Sequence, residues 1–121
     1  MERSTRQRSA IEETLSKVGQ PMLPQALLAA AQQIVPSLSL ATVYRNLKAL
    51  EAEGRIEAVT LPGEPARYEM RKHHHHHFHC KGCDQVIDID ACPGNLSHLL
   101  PRGFVLEDHQ ITLYGKCPAC R

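Results

Sequence analysis

Apolar positions in the first half of the chain recur every three or four residues. In SAIEETLSKV (residues 9–18) Ile11, Leu15 and Val18 share a helical face, Ser9 and Glu12 are spaced as a capping box, and Gly19 offers a stop. After Gln20 and Pro21, Pro24 suits a first helical turn, and Leu23, Leu27, Leu28, Ala31 and Ile34 form an apolar stripe ending before Pro36. A third helix is predicted from near Ser39 to Gly54, burying Val43, Leu47 and Leu50 while Tyr44, Arg45 and Lys48 point elsewhere. RIEAVT (55–60) and ARYEM (66–70) then read as antiparallel strands around an LPGEP turn.

Three helices and a hairpin follow one another in the order of a winged helix-turn-helix, whose third helix enters the DNA major groove. On that reading Thr42, Tyr44, Arg45 and Lys48 are candidate DNA contacts. Tyr44 and Arg45 would reach base edges, and Lys48 would reach phosphate. A plain three-helix bundle with Tyr44 and Arg45 as ordinary surface residues is the competing reading. Beyond the hairpin, QVIDID (85–90) alternates like a strand, with Val86, Asp88 and Asp90 on one face and Ile87 and Ile89 on the other. Pro93–Leu100 reads as a short helix, and FVLEDHQITLYG (104–115) as two extended runs around Glu107, Asp108 and His109. Glu107 and Asp108 also fit a simple polar turn. The pattern implies an α+β chain: a winged-helix part over 1–72 and a small α/β part over 73–121.

Composition narrows the partners less than the pattern does. At 121 residues with 42% hydrophobic and 22% charged positions, the chain suits a soluble globular fold and excludes a large enzyme core. No apolar run approaches the ~20 residues of a membrane span, so no membrane association is expected. The opening MERSTRQRSA leads into no apolar segment, which points to no secretory signal and a cytoplasmic, reducing setting. Fourteen basic against thirteen acidic residues give a formal charge of +1, and neither half is basic, so net charge names no partner. The one local bias is Arg3, Arg6 and Arg8 near the start, as phosphate contacts or as a solvated end.

The chemistry is concentrated after residue 72, where HHHHHFHCKGC places six histidines and two cysteines within residues 73–83. The run is internal and leads straight into Cys80, unlike a purification tag. On an extended strand side chains alternate, so His73, His75, His77 and His79 share one side, His74 and His76 the other, and one strand can serve two metal sites. Some of these rings are expected to be solvated or to orient ligands instead. Cys80-Lys-Gly-Cys83 and Cys117-Pro-Ala-Cys120 are two Cys-x-x-Cys knuckles, a set of four thiolates suited to tetrahedral structural Zn²⁺. Residues 73–121 number 49 and hold few large apolar side chains, so zinc binding worth ~10–16 kcal/mol is expected to supply much of their folding free energy. Cys92 lies outside both pairs and reads as a small buried residue or a free thiol.

LATVYRNLKAL with the following EGRI, RYEM, HHHHHFHCKGCDQVIDI and GFVLEDHQITLYGKCPAC together resemble the ferric uptake regulator (Fur) family of bacterial metal-dependent repressors, over almost the whole chain. The resemblance implies a winged-helix DNA-binding domain and an α/β dimerisation domain, a homodimer on a palindromic double-stranded DNA operator, and structural zinc on Cys80, Cys83, Cys117 and Cys120. It also implies a regulatory divalent metal (Fe²⁺, Mn²⁺ or Zn²⁺) on Glu69, His75, His77 and Asp88, and a second metal site on His74, His76 and His109. Arg6 and Arg8 join the expected DNA contacts. This chain departs from the family at Gly19-Gln20-Pro21, where a ligand histidine is usual, leaving Gln20 as a weak oxygen donor there. It departs again in ACPGNL, which offers Asn95 near the place of an acidic ligand. The function implied is a metal-responsive repressor, not an enzyme. A small His/Cys metalloprotein acting as a metal store or a metalloenzyme without DNA binding is the alternative.

Overall fold

The computed structural model describes residues 2–121, with side chains from Thr5 onward, so the expectation for Arg3 lies outside the described side chains. The chain divides between Arg71 and Lys72 into two compact units. The first holds α1 (Glu2–Val18), α2 (Pro24–Ala31), α3 (Leu40–Ala52), β1 (Ile56–Val59) and β2 (Arg67–Met70). Ile11 and Leu15 from α1, Leu27 and Ala31 from α2, and Val43, Leu47 and Leu50 from α3 meet in one apolar core, closed by Val35, Leu38 and Ile56.

Helix ends follow local chemistry. Proline opens α2, where its missing N–H loses no helical bond. The Ser39 hydroxyl accepts the Thr42 N–H at 3.2 Å and caps α3. At the other end Gly54, at φ +75°, lets the Gly54 and Arg55 N–H groups turn back to the carbonyls of Glu51 and Leu50, a Schellman closure. β1 and β2 pair antiparallel with Glu57 opposite Glu69, and Met22 adds a third edge through two 2.8 Å backbone bonds with Tyr68.

Three sequence expectations need correction in this unit. α1 begins at Glu2, not at Ser9, so Ser9 lies inside the helix and the Ser9–Glu12 capping box does not form. Charged pairing helps carry the longer helix, because Arg8 contacts Glu12 one turn on and also grips Glu53, while Glu12 pairs with Arg55. Ile34 is 38% exposed, since α2 ends at Ala31 and the turn that follows buries Val35 and Leu38 instead, and Val18, the last residue of α1, is 44% exposed.

The second unit is a three-stranded sheet in the order β4-β3-β5, from β3 (His76–Cys80), β4 (Val86–Ile89) and β5 (Thr112–Gly115). β4 runs antiparallel to β3 with Asp88 opposite His77, and β5 runs parallel to β3 with Gly115 opposite Cys80. The helix expected over 93–100 is a single 3-10 turn at Ser97–Leu99. Of the two extended runs expected over 104–115, only Thr112–Gly115 forms a strand. Extended propensity at Phe104 and Val105 finds no neighbouring strand, and both side chains stay exposed. Among the described apolar residues of this unit, Cys80, Val86 and Cys117 alone are buried, so no apolar core of ordinary size forms here.

Candidate metal centres

β3 ends at Cys80 and β5 ends at Gly115, side by side in register, so the chain leaves both strands at the same edge and brings the two knuckles together. Zn–S bonds of 2.3 Å at tetrahedral angles place sulfurs about 3.8 Å apart. Cys83 and Cys117 Sγ are 3.8 Å apart, and all four sulfurs of Cys80, Cys83, Cys117 and Cys120 lie within 4.8 Å of one another as free thiols. The set fits structural Zn²⁺.

Backbone geometry prepares it. The Cys117 and Gly82 N–H groups donate to Cys80 Sγ at 3.2 and 3.3 Å. Backbone N–H donation, from Cys117 first, then Cys83 and Gly82, lowers the Cys80 pKa to about 6, whereas the neighbouring Cys117 and Cys80 sulfurs push Cys120 up to about 12. Thiols packed this closely share protons, and a dication relieves the crowding by taking all four as thiolates. Gly82 is required by space: a Cβ there would sit 2.6 Å from Cys120 Cβ and 2.8 Å from its sulfur. Sequence reasoning saw the knuckle spacing and missed this glycine, whose only signal was its place inside Cys-Lys-Gly-Cys.

The first face of the histidine strand gathers His75, His77 and Asp88. His77 Nε2 lies 3.2 Å and His75 Nε2 3.7 Å from Asp88 Oδ1, with side chains 15%, 4% and 8% exposed respectively. His75 Nδ1 is 2.7 Å from the His73 carbonyl, so that nitrogen carries the donated proton and Nε2 keeps its lone pair for a cation. Lys72 Nζ sits on the other Asp88 oxygen. Nitrogen and carboxylate donors in this arrangement suit borderline and hard divalent ions. Glu69, predicted with this group, lies buried on β2 of the first unit.

The opposite face gathers His74, His76 and His109, and with them Cys92. His74 and His109 Nε2 are 3.3 Å apart, and Cys92 Sγ lies 3.5 and 3.3 Å from them. His76 is 2% exposed, its Nδ1 accepts the Ile111 N–H at 3.1 Å, and its Nε2 is buried without a hydrogen-bond partner. Burial, ahead of the neighbouring imidazoles, lowers the His76 pKa and keeps the ring in the neutral form that binds metals. Of the two readings for Cys92, a small buried residue or a free thiol, the structure has the free thiol, exposed, and its sulfur joins this cluster. Asn95 instead accepts the Ser97 N–H. The two remaining histidines of the run orient other groups: His79 bonds Asp84 at 2.6 Å, and His73 lies 3.5 Å from Asp90.

On α3, Tyr44, Arg45 and Lys48 are exposed. Thr42 differs: it is 8% exposed, and its hydroxyl accepts from Ser39 at 3.0 Å and Arg45 at 3.3 Å, so it builds the helix start rather than facing outward. Arg8 holds Glu53 through both terminal nitrogens, which raises its pKa and lowers that of Glu53. Arg6 reaches the Ile34 carbonyl at 3.5 Å. No helix among the described residues is long and apolar enough to cross a membrane.

The model of the ferric uptake regulator family matches residues 2–114. The transcriptional regulator FurA of Mycobacterium tuberculosis is 32% identical over 102 residues, 79% of this chain and 68% of that protein. The ferric uptake regulation protein of Campylobacter jejuni is 31% identical over 122 residues, 96% of this chain and 78% of its own. Among solved structures, the Helicobacter pylori ferric uptake regulator, described as having three functional metal binding sites, aligns with a TM-score of 0.78 at 26% identity over 94% of this chain and 79% of that one. With a winged three-helix unit, a small sheet carrying four knuckle cysteines, and a match running through nearly every residue, the chain belongs to the ferric uptake regulator family.

Proposed function

We propose that the chain is a metal-responsive transcriptional repressor that binds palindromic operator DNA as a homodimer, with Glu69, His75, His77 and Asp88 holding the regulatory divalent metal. The observation that carries this reading is the convergence of His75, His77 and Asp88 on one face of the sheet, with His75 turned so that its Nε2 lone pair points inward. Glu69 precedes His75 by six residues, so the backbone permits no more than about 20 Å between them. Burying a carboxylate is costly, and its neighbour across the hairpin is the like-charged Glu57. A carboxylate is also the donor type that hard and borderline divalent ions favour.

When bound, the ion supplies positive charge shared by donors from both sides of the Arg71–Lys72 junction. Glu69 anchors the wing, and His75, His77 and Asp88 anchor the sheet, which limits the orientations α3 samples. In a two-fold dimer that sets the spacing of two reading helices against palindromic half-sites. Tyr44 and Arg45 take base edges and Lys48 takes phosphate, while Arg6 approaches the flanking backbone, Arg8 does so by exchanging its pair with Glu53 for phosphate, and Thr42 holds the helix start. A full switch from 1:99 to 99:1 needs roughly 5.5 kcal/mol of preference for the DNA-competent arrangement.

The relatives are transcriptional regulators, a non-enzymatic role. Fluorescence anisotropy on palindromic DNA, using protein that retains one zinc per chain and added Fe²⁺, Mn²⁺ or Zn²⁺, tests the reading. Tight binding that appears only with the added ion is expected. A metal store would bind ions with no DNA affinity in any condition, and that result would overturn the proposal.

A further inference from the structure

We infer that Cys92 turns the second metal site into a mixed nitrogen–sulfur centre, His74, His76, Cys92 and His109, which takes a thiophilic divalent ion such as Zn²⁺ in preference to Mn²⁺ or Fe²⁺. The inference extends the proposed function, on which it rests for the ion's physiological role but not for the site itself.

The distances are those of a coordination face. Metal–nitrogen bonds of 2.0–2.1 Å and a metal–sulfur bond of 2.3 Å at tetrahedral angles place two nitrogens about 3.3 Å apart and sulfur about 3.6 Å from nitrogen. The structure has 3.3 Å between His74 and His109 Nε2, and 3.5 and 3.3 Å from Cys92 Sγ to each. One ring nitrogen of His76 lies within 4.8 Å of the donor atoms of the other three, so His76 supplies the fourth donor; its Nδ1 accepts the Ile111 N–H, which leaves the proton of the neutral ring on Nε2, and an ion taken through Nε2 displaces that proton.

A second observation concerns the turn. The Gly94 N–H donates to Cys92 Sγ at 3.4 Å, two residues on, just as the Gly82 N–H donates to Cys80 Sγ at 3.3 Å inside the zinc knuckle. Gly94 holds φ +90°, which a side chain rarely adopts, so the Cys92-Pro93-Gly94 turn is built to aim an N–H at sulfur. Cys92, His76, Ile89, Pro93, Ile111 and Leu113 also line an apolar hollow beside the cluster. Thiolate at this corner favours zinc and disfavours manganese, whose preferred donors are oxygens.

Cobalt titration of the full chain tests this, because Co²⁺ bound to sulfur gives a strong near-ultraviolet charge-transfer band and Co²⁺ bound only to nitrogen and oxygen does not. The protein is prepared with zinc held at one per chain in the cysteine knuckles, checked by metal analysis before and after. The wild type is expected to gain the band up to one equivalent of cobalt. Cys92→Ser and Cys92→Asp are expected to lose it, and to bind Zn²⁺ at this site at least tenfold more weakly in competition with a chromogenic chelator. Cys92→Asp is further expected to narrow the zinc-over-manganese preference by a similar factor. No band in the wild type, or an equal band in Cys92→Ser, overturns the inference. Operator binding on the same samples reads the proposed function separately: its loss with the band intact overturns that function alone, and its retention without the band overturns this inference alone.

Discussion

The two units reach stable structure by different means. Up to Arg71 the chain buries a contiguous set of leucines, isoleucines and valines from three helices, and hydrophobic transfer suffices to hold them. From Lys72 onward the few buried groups are cysteines, one valine and one histidine, while Leu99, Phe104, Val105, Leu113 and Tyr114 remain exposed. That unit closes around metal donors and leaves these apolar side chains on its surface. The contrast separates two ways of holding a fold: an apolar core carries the first unit, and side chains suited to metal ions close the second.

The largest test of this contrast removes the structural ion. Cys80→Ser together with Cys117→Ser, or exhaustive chelation, is expected to cost the second unit ~10–16 kcal/mol and unfold it, while the helices of the first unit persist. Hydrogen exchange resolved along the chain should show protection lost from residue 72 onward and kept in α1 to α3. Equal loss in both units would break the comparison. The reverse experiment, Leu47→Ala, opens a cavity in the fully buried core of the first unit and is expected to cost about 2–5 kcal/mol there with zinc content unchanged. Chemical denaturation followed by zinc release separates the two effects.

Smaller changes sharpen the same division. Gly82→Ala forces a methyl group into the second knuckle, and a loss of roughly 1–3 kcal/mol is expected, read as weaker zinc retention against a chelator. Ser39→Ala removes the cap of α3 and is expected to cost about 1 kcal/mol in the first unit alone, as a lower thermal midpoint with metal binding intact.

Much of this was legible in the sequence because the signals were local. Helical periodicity located the core of the first unit, and the turn residues located the wing. Cys-x-x-Cys spacing picked out the knuckles without any knowledge of strand order. What escaped depends on register between distant segments. Cys92 has no partner at a telling spacing, and it meets His109 only because β5 pairs parallel with β3 and places the chain before β5 beside His74 and His76. Gly82 matters only once Cys120 is brought against it. The N-terminal extension of α1 escaped because Arg8 and Glu12 find Glu53 and Arg55 far along the chain.

The central claim is that the wing carboxylate and the sheet imidazoles act on one ion to set DNA affinity. Its most direct measurement is operator binding by Glu69→Ala and by the double variant His75→Ala, His77→Ala, each with structural zinc verified, across a titration of Mn²⁺. The account expects the wild type to bind at least a hundredfold more tightly with the ion than without it, and both variants to show little gain while keeping their zinc. Metal-dependent binding of wild-type strength in either variant would contradict it.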